Sequence, residues 1–371
     1  MKVVKVNTIA PKKERNEINN DLEKLFRLCG ANTGNVVFFD LLDKEIAFDE
    51  TISIKNLIFN KEKEKVRYIF PAANWISMDS NVLKTIFLPL EDRDAECVVI
   101  GLGLQLADVE TQSLKDFFGG MSEDTKKALK IMSEHSVSIG VRGSMTAECL
   151  EKLGIHNVDV IGCPSFYSDG ILEEKRKNKK LCDPDMGEVC FNITPGSENN
   201  EKLLALGMKN YCYYMLQTRM EFPQYIEERM MDRGKEDKVV YSYYKRDDVN
   251  IDLVQGYIKE RGIFCKNIDE WEAEYLQNKI SFTFGNRFHG NMMSYLLGVP
   301  ALWIEHDVRT KELIELFRLP HIKANELESI RGLEELKEKC IYSDEFWKNR
   351  KSMFEKYKQF LDKNRLLHNF E

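Results

Sequence analysis

Gly140-Val141-Arg142-Gly143 and Gly285-Asn286-Arg287-Phe288-His289-Gly290 are the two stretches from which the architecture of this chain is read. Each ends a β-rich run, at 137–141 and 280–284, and each opens a stretch with helical spacing. After the first, Met145, Cys149, Leu150 and Leu153 fall on one helical face. Leu153-Gly154 closes that helix and a strand follows at 158–162; after the second, Leu297-Gly298 closes the helix and a strand follows at 301–304. Gly154 stands 12 residues after Arg142, and Gly298 stands 11 after Arg287. The chain therefore repeats one strand–arginine–helix–glycine–strand unit. Each copy puts an arginine just past the carboxyl end of a strand, where open α/β sheets bind their ligands.

Working outward, short β-rich runs alternate with amphipathic stretches, the pattern of parallel α/β sheets. Strands are expected at 66–70, 97–101, 137–141 and 158–162, then at 189–193, 239–243, 280–284 and 301–304. Helices are expected at 17–29, 80–87, 123–133 and 144–153. A long terminal helix at 343–367 carries Phe346, Met353, Tyr357, Phe360 and Leu361 near one stripe, which would pack back across the rest of the protein. The run Leu172-Glu-Glu-Lys-Arg-Lys-Asn-Lys-Lys, followed by Cys182-Asp-Pro-Asp, is polar enough for an exposed linker. With 371 residues the chain exceeds what one core usually supports. The expected fold class is α/β, with two Rossmann-like lobes facing a central cleft. Residues 1–170 would form the first lobe, 171–185 the linker, and 186–371 the second lobe with its terminal helix.

Composition narrows the function. Hydrophobic residues at 43% and charged residues at 31% describe an ordinary soluble globular protein. Fifty-four Lys and Arg against 61 Asp and Glu give a net charge of −7, without the basic surplus that phosphate contacts demand, so nucleic acid is not an expected partner. The opening Met1-Lys-Val-Val-Lys-Val-Asn-Thr-Ile is too short and too charged for a signal sequence. The longest apolar stretches, near 97–106 and 295–304, are about half the roughly twenty residues that a membrane span needs. Nine scattered cysteines with no Cys-x-x-Cys pair argue against a disulfide framework or zinc site and for a reducing, cytoplasmic compartment. In that compartment the triplet Asn192-Ile-Thr194 has no glycosylation to undergo.

The candidate chemistry centres on Arg287-Phe288-His289-Gly290. The glycine allows backbone to approach a ligand, and the helix that follows offers free N–H groups to an anion. An arginine fork suits carboxylate or phosphate, and a histidine two residues on can move a proton near neutral pH. The competing reading is a buried arginine paired with an acidic neighbour; the mirrored Arg142-Gly143 favours a site. Glu305-His306-Asp307-Val-Arg309-Thr310 follows the next strand on the same sheet edge, with Thr310 as the candidate cap of the helix bearing Leu313, Ile314 and Phe317. Gly30-Ala-Asn32-Thr33-Gly34-Asn35 is a small-residue turn that could cradle a ligand or simply reverse the chain. Gly101-Leu-Gly103-Leu-Gln105 lacks the third glycine of the dinucleotide fingerprint, so no nucleotide cofactor is expected from it.

Together the segments 30–35, 98–105, 138–146, 153–155, 160–164, 287–290 and 298–300 resemble the polysaccharide pyruvyl transferase family over roughly residues 28–320. Two positions depart from its pattern: Cys163 stands in Gly162-Cys163-Pro164 where many members have Asp, and Phe288 where Leu is common. The resemblance implies a glycosyltransferase-B-like architecture. It also implies transfer of the enolpyruvyl unit of phosphoenolpyruvate onto two hydroxyls of one sugar, as a cyclic ketal, in capsule, exopolysaccharide or cell-wall synthesis. Arg142, Arg287 and His289 match its donor-binding positions. Proton transfer falls to His289, as acid or base, and substrate contacts to Gly143, Phe288, Gly290, His306, Asp307, Arg309, Asn32 and Thr33. No cofactor is implied beyond phosphoenolpyruvate as donor substrate; a divalent metal requirement and the oligomeric state stay open. The implied acceptor is a sugar or lipid-linked oligosaccharide, with peripheral contact at the inner face of the membrane. A nucleotide-sugar glycosyltransferase of the same architecture is the alternative, and a non-catalytic anion-binding scaffold is a third.

Overall fold

Strands that stay apolar on both faces require cover on both faces, which in a parallel sheet comes from the crossover helices. The computed structural model describes residues 1–18, 21–59, 65–106, 114–168, 181–195, 200–222 and 251–370, and within these it contains two such sheets. The first comprises β1 (Lys2–Asn7), β2 (Glu50–Ser53), β3 (Val66–Pro71), β4 (Ala95–Leu102), β5 (Ser136–Val141) and β6 (Val158–Val160), in the order β2-β1-β3-β4-β5-β6. The second comprises β7 (Glu188–Asn192), β8 (Tyr213–Leu216), β9 (Gly262–Phe264), β10 (Ile280–Gly285), β11 (Ala301–Glu305) and β12 (His321–Lys323), in the order β12-β11-β10-β7-β8-β9. Every pairing is parallel. Counted from β7, the second order is the Rossmann arrangement, with its switch point between β7 and β10; the first switches direction at β1. The two Rossmann-like lobes expected from the sequence are therefore present.

The repeated unit is visible in the backbone. Ser144–Lys152 and Phe288–Leu296 are both nine-residue helices, and both end at a left-handed glycine, Gly154 with φ 76° and Gly298 with φ 77°. In each, the glycine N–H and the next N–H turn back onto the last helical turn, to Glu151 and Leu150 in one and to Tyr295 and Ser294 in the other. The expected strand at 239–243 lies outside the described residues, as does most of the linker 171–185. Five observed strands were not expected. β2, β9 and β12 are edge strands of three or four residues, and β8 has four. β1 is hidden by its lysines: Lys5 is buried in this internal strand, its amine against Asp43 and over the Phe48 ring at 4.8 Å. Burial draws that amine down to about 7, against the pull of Asp40.

The helix Gly34–Glu45 also escapes a pattern search, because it has no polar face. Val36, Val37, Phe38, Phe39, Leu41 and Leu42 are each at most 4% exposed, as expected of a helix enclosed on all sides. It lies between the lobes against the helices Phe288–Leu296 and Ile268–Gln277. One apolar cluster runs from Val98 and Ile100 on β4 through this helix to Met292 and Trp303 in the second lobe. The terminal helix, Asp344–Lys363, completes the same cluster. Its Phe346 packs on Tyr295 and Phe166 at 5.8 and 6.2 Å, and its Phe360 covers Gly140 of β5. Beyond it, Arg365 and Leu367 carbonyls accept from Arg67 Nη1 and from the Ala47 amide, both at 2.9 Å. Among the described residues no helix is long and apolar enough to cross a membrane.

Glu45 ends the enclosed helix without a cation. Its carboxyl is fully buried and accepts from the Ser168 hydroxyl and, at 2.8 Å, from Tyr357 on the terminal helix. Burial pushes it up to about 8, although both hydrogen bonds oppose the shift. Between the ordinary carboxyl range and pH 8 the unfolded chain releases a proton that the folded protein keeps, so stability falls as pH rises across that window. Glu45→Gln keeps the shape and removes the titration. Relative to wild type it should gain stability between pH 5 and pH 8, on the order of a few kcal/mol, in thermal melts run at both values.

Candidate active site

The carboxyl ends of β3, β5, β7, β8, β10 and β11 converge on a pocket of about 200 Å³ between the lobes. The first lobe contributes Asn32, Asn35, Ala73, Asn74 and Arg142. The second contributes Thr194, Gln217 and Asn286, then Arg287, Phe288 and His289 as one run, and His306, Arg309, Thr310 and Leu313 from the loop and helix after β11. Asn32, Arg142, Arg287, Phe288, His289, His306 and Arg309 are thus brought together. Thr33, Gly143, Gly290 and Asp307 do not line the pocket.

The two arginines occupy matching places in the repeat but differ electrostatically. Arg287 N-caps the helix Phe288–Leu296, and its Nε donates to the Ile193 carbonyl at 2.5 Å. Its Nη2 lies 3.2 Å from Glu221 Oε2 and 3.3 Å from Thr218 Oγ1, and Glu221 is itself buried. This charge is already matched. Arg142 donates only to neutral oxygens, Gly101 O at 3.0 Å and Asn74 Oδ1 at 2.9 Å. It makes no ion pair among the described residues, and its buried Nη2 has no hydrogen-bond partner there. Burial lowers its pKa and Arg309 adds repulsion, while Cys163, Glu312 and Asp307 pull the other way from beyond hydrogen-bond reach. A guanidinium at 5% exposure, without a direct ion pair and with one nitrogen unpartnered among the described residues, thus stands at the pocket.

His289 stands on the first turn of the helix that Arg287 caps, against the Phe288 ring at 5.5 Å. Its Nε2 is 3.4 Å from Cys163 Sγ, which is also 3.1 Å from Ser165 Oγ. Cys163, one of the two positions that depart from the resembled pattern, therefore touches this imidazole. Burial pushes the Cys163 thiol up, while Arg142 pulls it down. Burial and then the Arg142 charge drive His289 down to about 3, so the ring is neutral at physiological pH.

The four residues outside the lining hold the walls in place. The Thr33 amide donates to Gln217 O across the lobes at 2.9 Å. Gly143 leaves room for Glu312 of the second lobe: a Cβ there would stand 2.8 Å from the Glu312 Cβ. The Glu312 carboxylate accepts from the Thr146 amide at 2.7 Å and hydroxyl at 2.9 Å, so the helix end after Arg142 is already occupied by an anion. Gly290 gives space to Gln217 and Asn192. Asp307, rather than Thr310, caps the helix Val308–Phe317: its Oδ1 accepts from the Thr310 amide at 2.8 Å, and its Oδ2 from Arg309 Nε at 2.6 Å. Burial would raise the Asp307 carboxyl, but His306, Arg309 and the Thr310 bonds hold it below its usual range. The His306 ring, lowered by burial, lies with Nε2 3.5 Å from Asp307 Oδ2, without a hydrogen bond.

Sequence reasoning passed over Asn74, Thr194, Gln217, Asn286 and Glu221. Asn74 and Thr194 follow strands that were expected, so the strand-end rule alone would have found them. The triplet at 192–194 has a structural purpose at the switch point. Asn192 Oδ1 accepts from the Arg287 amide at 2.9 Å, and the Thr194 amide donates to Asn286 Oδ1 at 2.5 Å. Gln217 follows β8, too short a strand to announce itself. Among the described residues no group of three His, Cys, Asp or Glu side chains is arranged to hold a metal ion.

Comparison with known proteins gives one family. The family model for polysaccharide pyruvyl transferase matches residues 22–308. No curated protein matches the chain. Solved structures similar to it include the UDP-GlcNAc 2-epimerase from Neisseria meningitidis bound to UDP-GlcNAc, at 11% identity and TM-score 0.46 over 97% of this chain and 100% of that one. Another is S. aureus MnaA in complex with UDP, at 12% identity and TM-score 0.41 over 98% and 97%. A third is a functionally uncharacterised protein from Klebsiella pneumoniae, at 12% identity and TM-score 0.37 over 80% and 94%.

The state of His289 is directly measurable. In ligand-free protein its ring signals in NMR should stay those of neutral imidazole down to about pH 4, with titration near pH 3. Arg142→Ala should move that titration upward, because it removes the nearby positive charge.

Proposed function

The chain belongs to the polysaccharide pyruvyl transferase family, and we propose that it joins C2 of phosphoenolpyruvate to two hydroxyls of one sugar, giving a cyclic pyruvate ketal and inorganic phosphate. The observation that carries this reading is Arg142, a buried cation with one edge unpartnered beside a small polar pocket. Such a group calls for an anion. A three-carbon phosphate ester with a carboxylate offers two, and its size suits about 200 Å³ better than that of a nucleotide sugar does. Arg287, neutralised by Glu221, contributes orientation more than charge. On the opposite wall, Asn32 and Asn74 have their Oδ1 engaged by Gly34 and Arg142, and Asn35 has its Nδ2 engaged by Cys29, so the other end of each carboxamide is the one that suits a sugar hydroxyl.

The chemistry balances without a further reactant. One hydroxyl adds to C2 and gives its proton to His289, while C3 takes a proton from solvent, turning methylene into methyl. The second hydroxyl then adds to C2 as the C2–O bond to phosphate breaks, and its proton leaves with the solvent or the phosphate. With Nε2 of His289 engaged by Cys163, Nδ1 is the nitrogen left for substrate. Held near 3 in the free protein, the ring is a weak base; the negative charge of the bound donor would raise it and stabilise the imidazolium formed when it takes the hydroxyl proton. The acceptor we propose is a sugar of a lipid-linked oligosaccharide in capsule, exopolysaccharide or cell-wall synthesis, met by a peripheral protein at the cytoplasmic face of the membrane.

The test is ligand by ligand. Phosphoenolpyruvate, and not a nucleotide sugar, should raise the melting temperature. Arg142→Ala should weaken phosphoenolpyruvate binding by about 2–4 kcal/mol in a folded protein. Arg287→Ala should cost stability as well, since it strands the buried Glu221. His289→Asn should keep most donor affinity and lower turnover roughly a hundredfold or more. A wild-type protein that ignores phosphoenolpyruvate and turns over a nucleotide sugar would overturn the reading.

A further inference from the structure

Gln217 is held more firmly than any role in packing asks of it. Its amide N–H donates to Glu221 Oε2 at 3.0 Å, and its carbonyl accepts from the Thr33 amide at 2.9 Å, so both backbone groups are fixed, one within each lobe's reach. Glu221 is the same carboxylate that neutralises Arg287. The side-chain amide sits in a slot made by two glycines, one from each lobe. A Cβ on Gly34 would stand 2.5 Å from Oε1, and one on Gly290 would stand 2.6 Å from Nε2. These glycines lie on the first turns of helices of twelve and nine residues. The residue is 1% exposed, yet it lines the pocket, and Nε2 has no hydrogen-bond partner among the described residues.

A buried amide N–H without an acceptor is an uncompensated desolvation that native proteins rarely keep without use. Here it does not stand alone: Arg142 Nη2 is also unpartnered and buried at the same pocket. One donor is charged and the other neutral, and they come from opposite lobes. We infer that Gln217 is a specificity-determining residue whose Nε2 donates to an anionic oxygen of the donor substrate held by Arg142. This rests on the reading of Arg142 as the donor's seat. The amide adds what the guanidinium cannot: a neutral donor at a fixed position, which tells an anion of the right shape from any anion attracted by charge. The glycines at 34 and 290 then have a common purpose, since a side chain at either would displace the amide.

The experiment uses the full chain and measures phosphoenolpyruvate binding by calorimetry in wild type, Gln217→Met and Gln217→Glu. Methionine keeps length and volume but donates nothing; glutamate keeps shape and adds a like charge. Gln217→Met should bind phosphoenolpyruvate at least tenfold more weakly with an equal or higher melting temperature. Gln217→Glu should lose a hundredfold or more. Turnover at saturating donor should fall far less than affinity, so the change appears in KM. Competition by pyruvate and by inorganic phosphate separates the two ends of the donor. A loss of pyruvate binding alone in Gln217→Met assigns the amide to the carboxylate, and a loss of phosphate binding alone assigns it to the phosphate. Wild-type affinity in folded Gln217→Met, or in Gln217→Glu should the first not fold, overturns the inference. If wild type itself does not bind phosphoenolpyruvate, it is the proposed function that falls.

Discussion

Everything in this protein is arranged around a helix that cannot face water. Gly34–Glu45 presents Val, Phe and Leu on every side and survives only between two sheets. Its position settles several others at once. Its start and the residues leading into it carry Asn32 and Asn35 to the pocket and Thr33 to Gln217. Its last residue, Glu45, meets the terminal helix. Because the apolar cluster around it is continuous through both lobes, the pocket is a crevice in one shared core. Two of the polar links across that crevice, Thr33 to Gln217 and Glu312 to Thr146, are made by buried groups.

Against that rigid frame the charges are distributed unevenly. The pocket is lined by three arginines, of which Arg287 is matched by Glu221 and Arg309 by Asp307, while Glu312 serves a helix end. Arg142 alone among them rests on neutral oxygens. The protein thus sets out one positive charge without a direct ion pair in a place where two paired ones hold the geometry. Burial keeps His289 neutral and the same charge adds to it, so the cation and the base are coupled by proximity rather than by a shared hydrogen bond.

Much of this was legible because the two halves repeat a rule. A strand running into an arginine, a helical stretch and a closing Leu-Gly can be recognised without coordinates, and the expectation of two like lobes follows from two copies of it. What stayed hidden has physical reasons. Edge strands of three residues carry too little pattern, a lysine in β1 reads as surface until Asp43 and Phe48 enclose it, and an all-apolar helix has no periodicity to find. At the site, residue type identified the arginines and the histidine. It could not show that one arginine would be neutralised by a glutamate 66 positions away, or that Asp307 would serve a cap. Partnership across the lobes is a property of the folded chain, and Gln217, defined by two glycines distant from it in sequence, is the clearest instance.

The terminal helix has a consequence for how the protein is made. Glu45 and Tyr357 are 312 residues apart, and Gly140 of β5 waits for Phe360 to cover it. Synthesis delivers the first sheet early, but part of its apolar face has no cover until the last residues leave the ribosome. The lobe that begins first is therefore finished last, and during elongation it carries an exposed greasy surface of the kind that recruits chaperones or sticks to its neighbours. A nascent chain halted between residues 161 and 343 would hold all six strands of its first sheet and still be unable to close it.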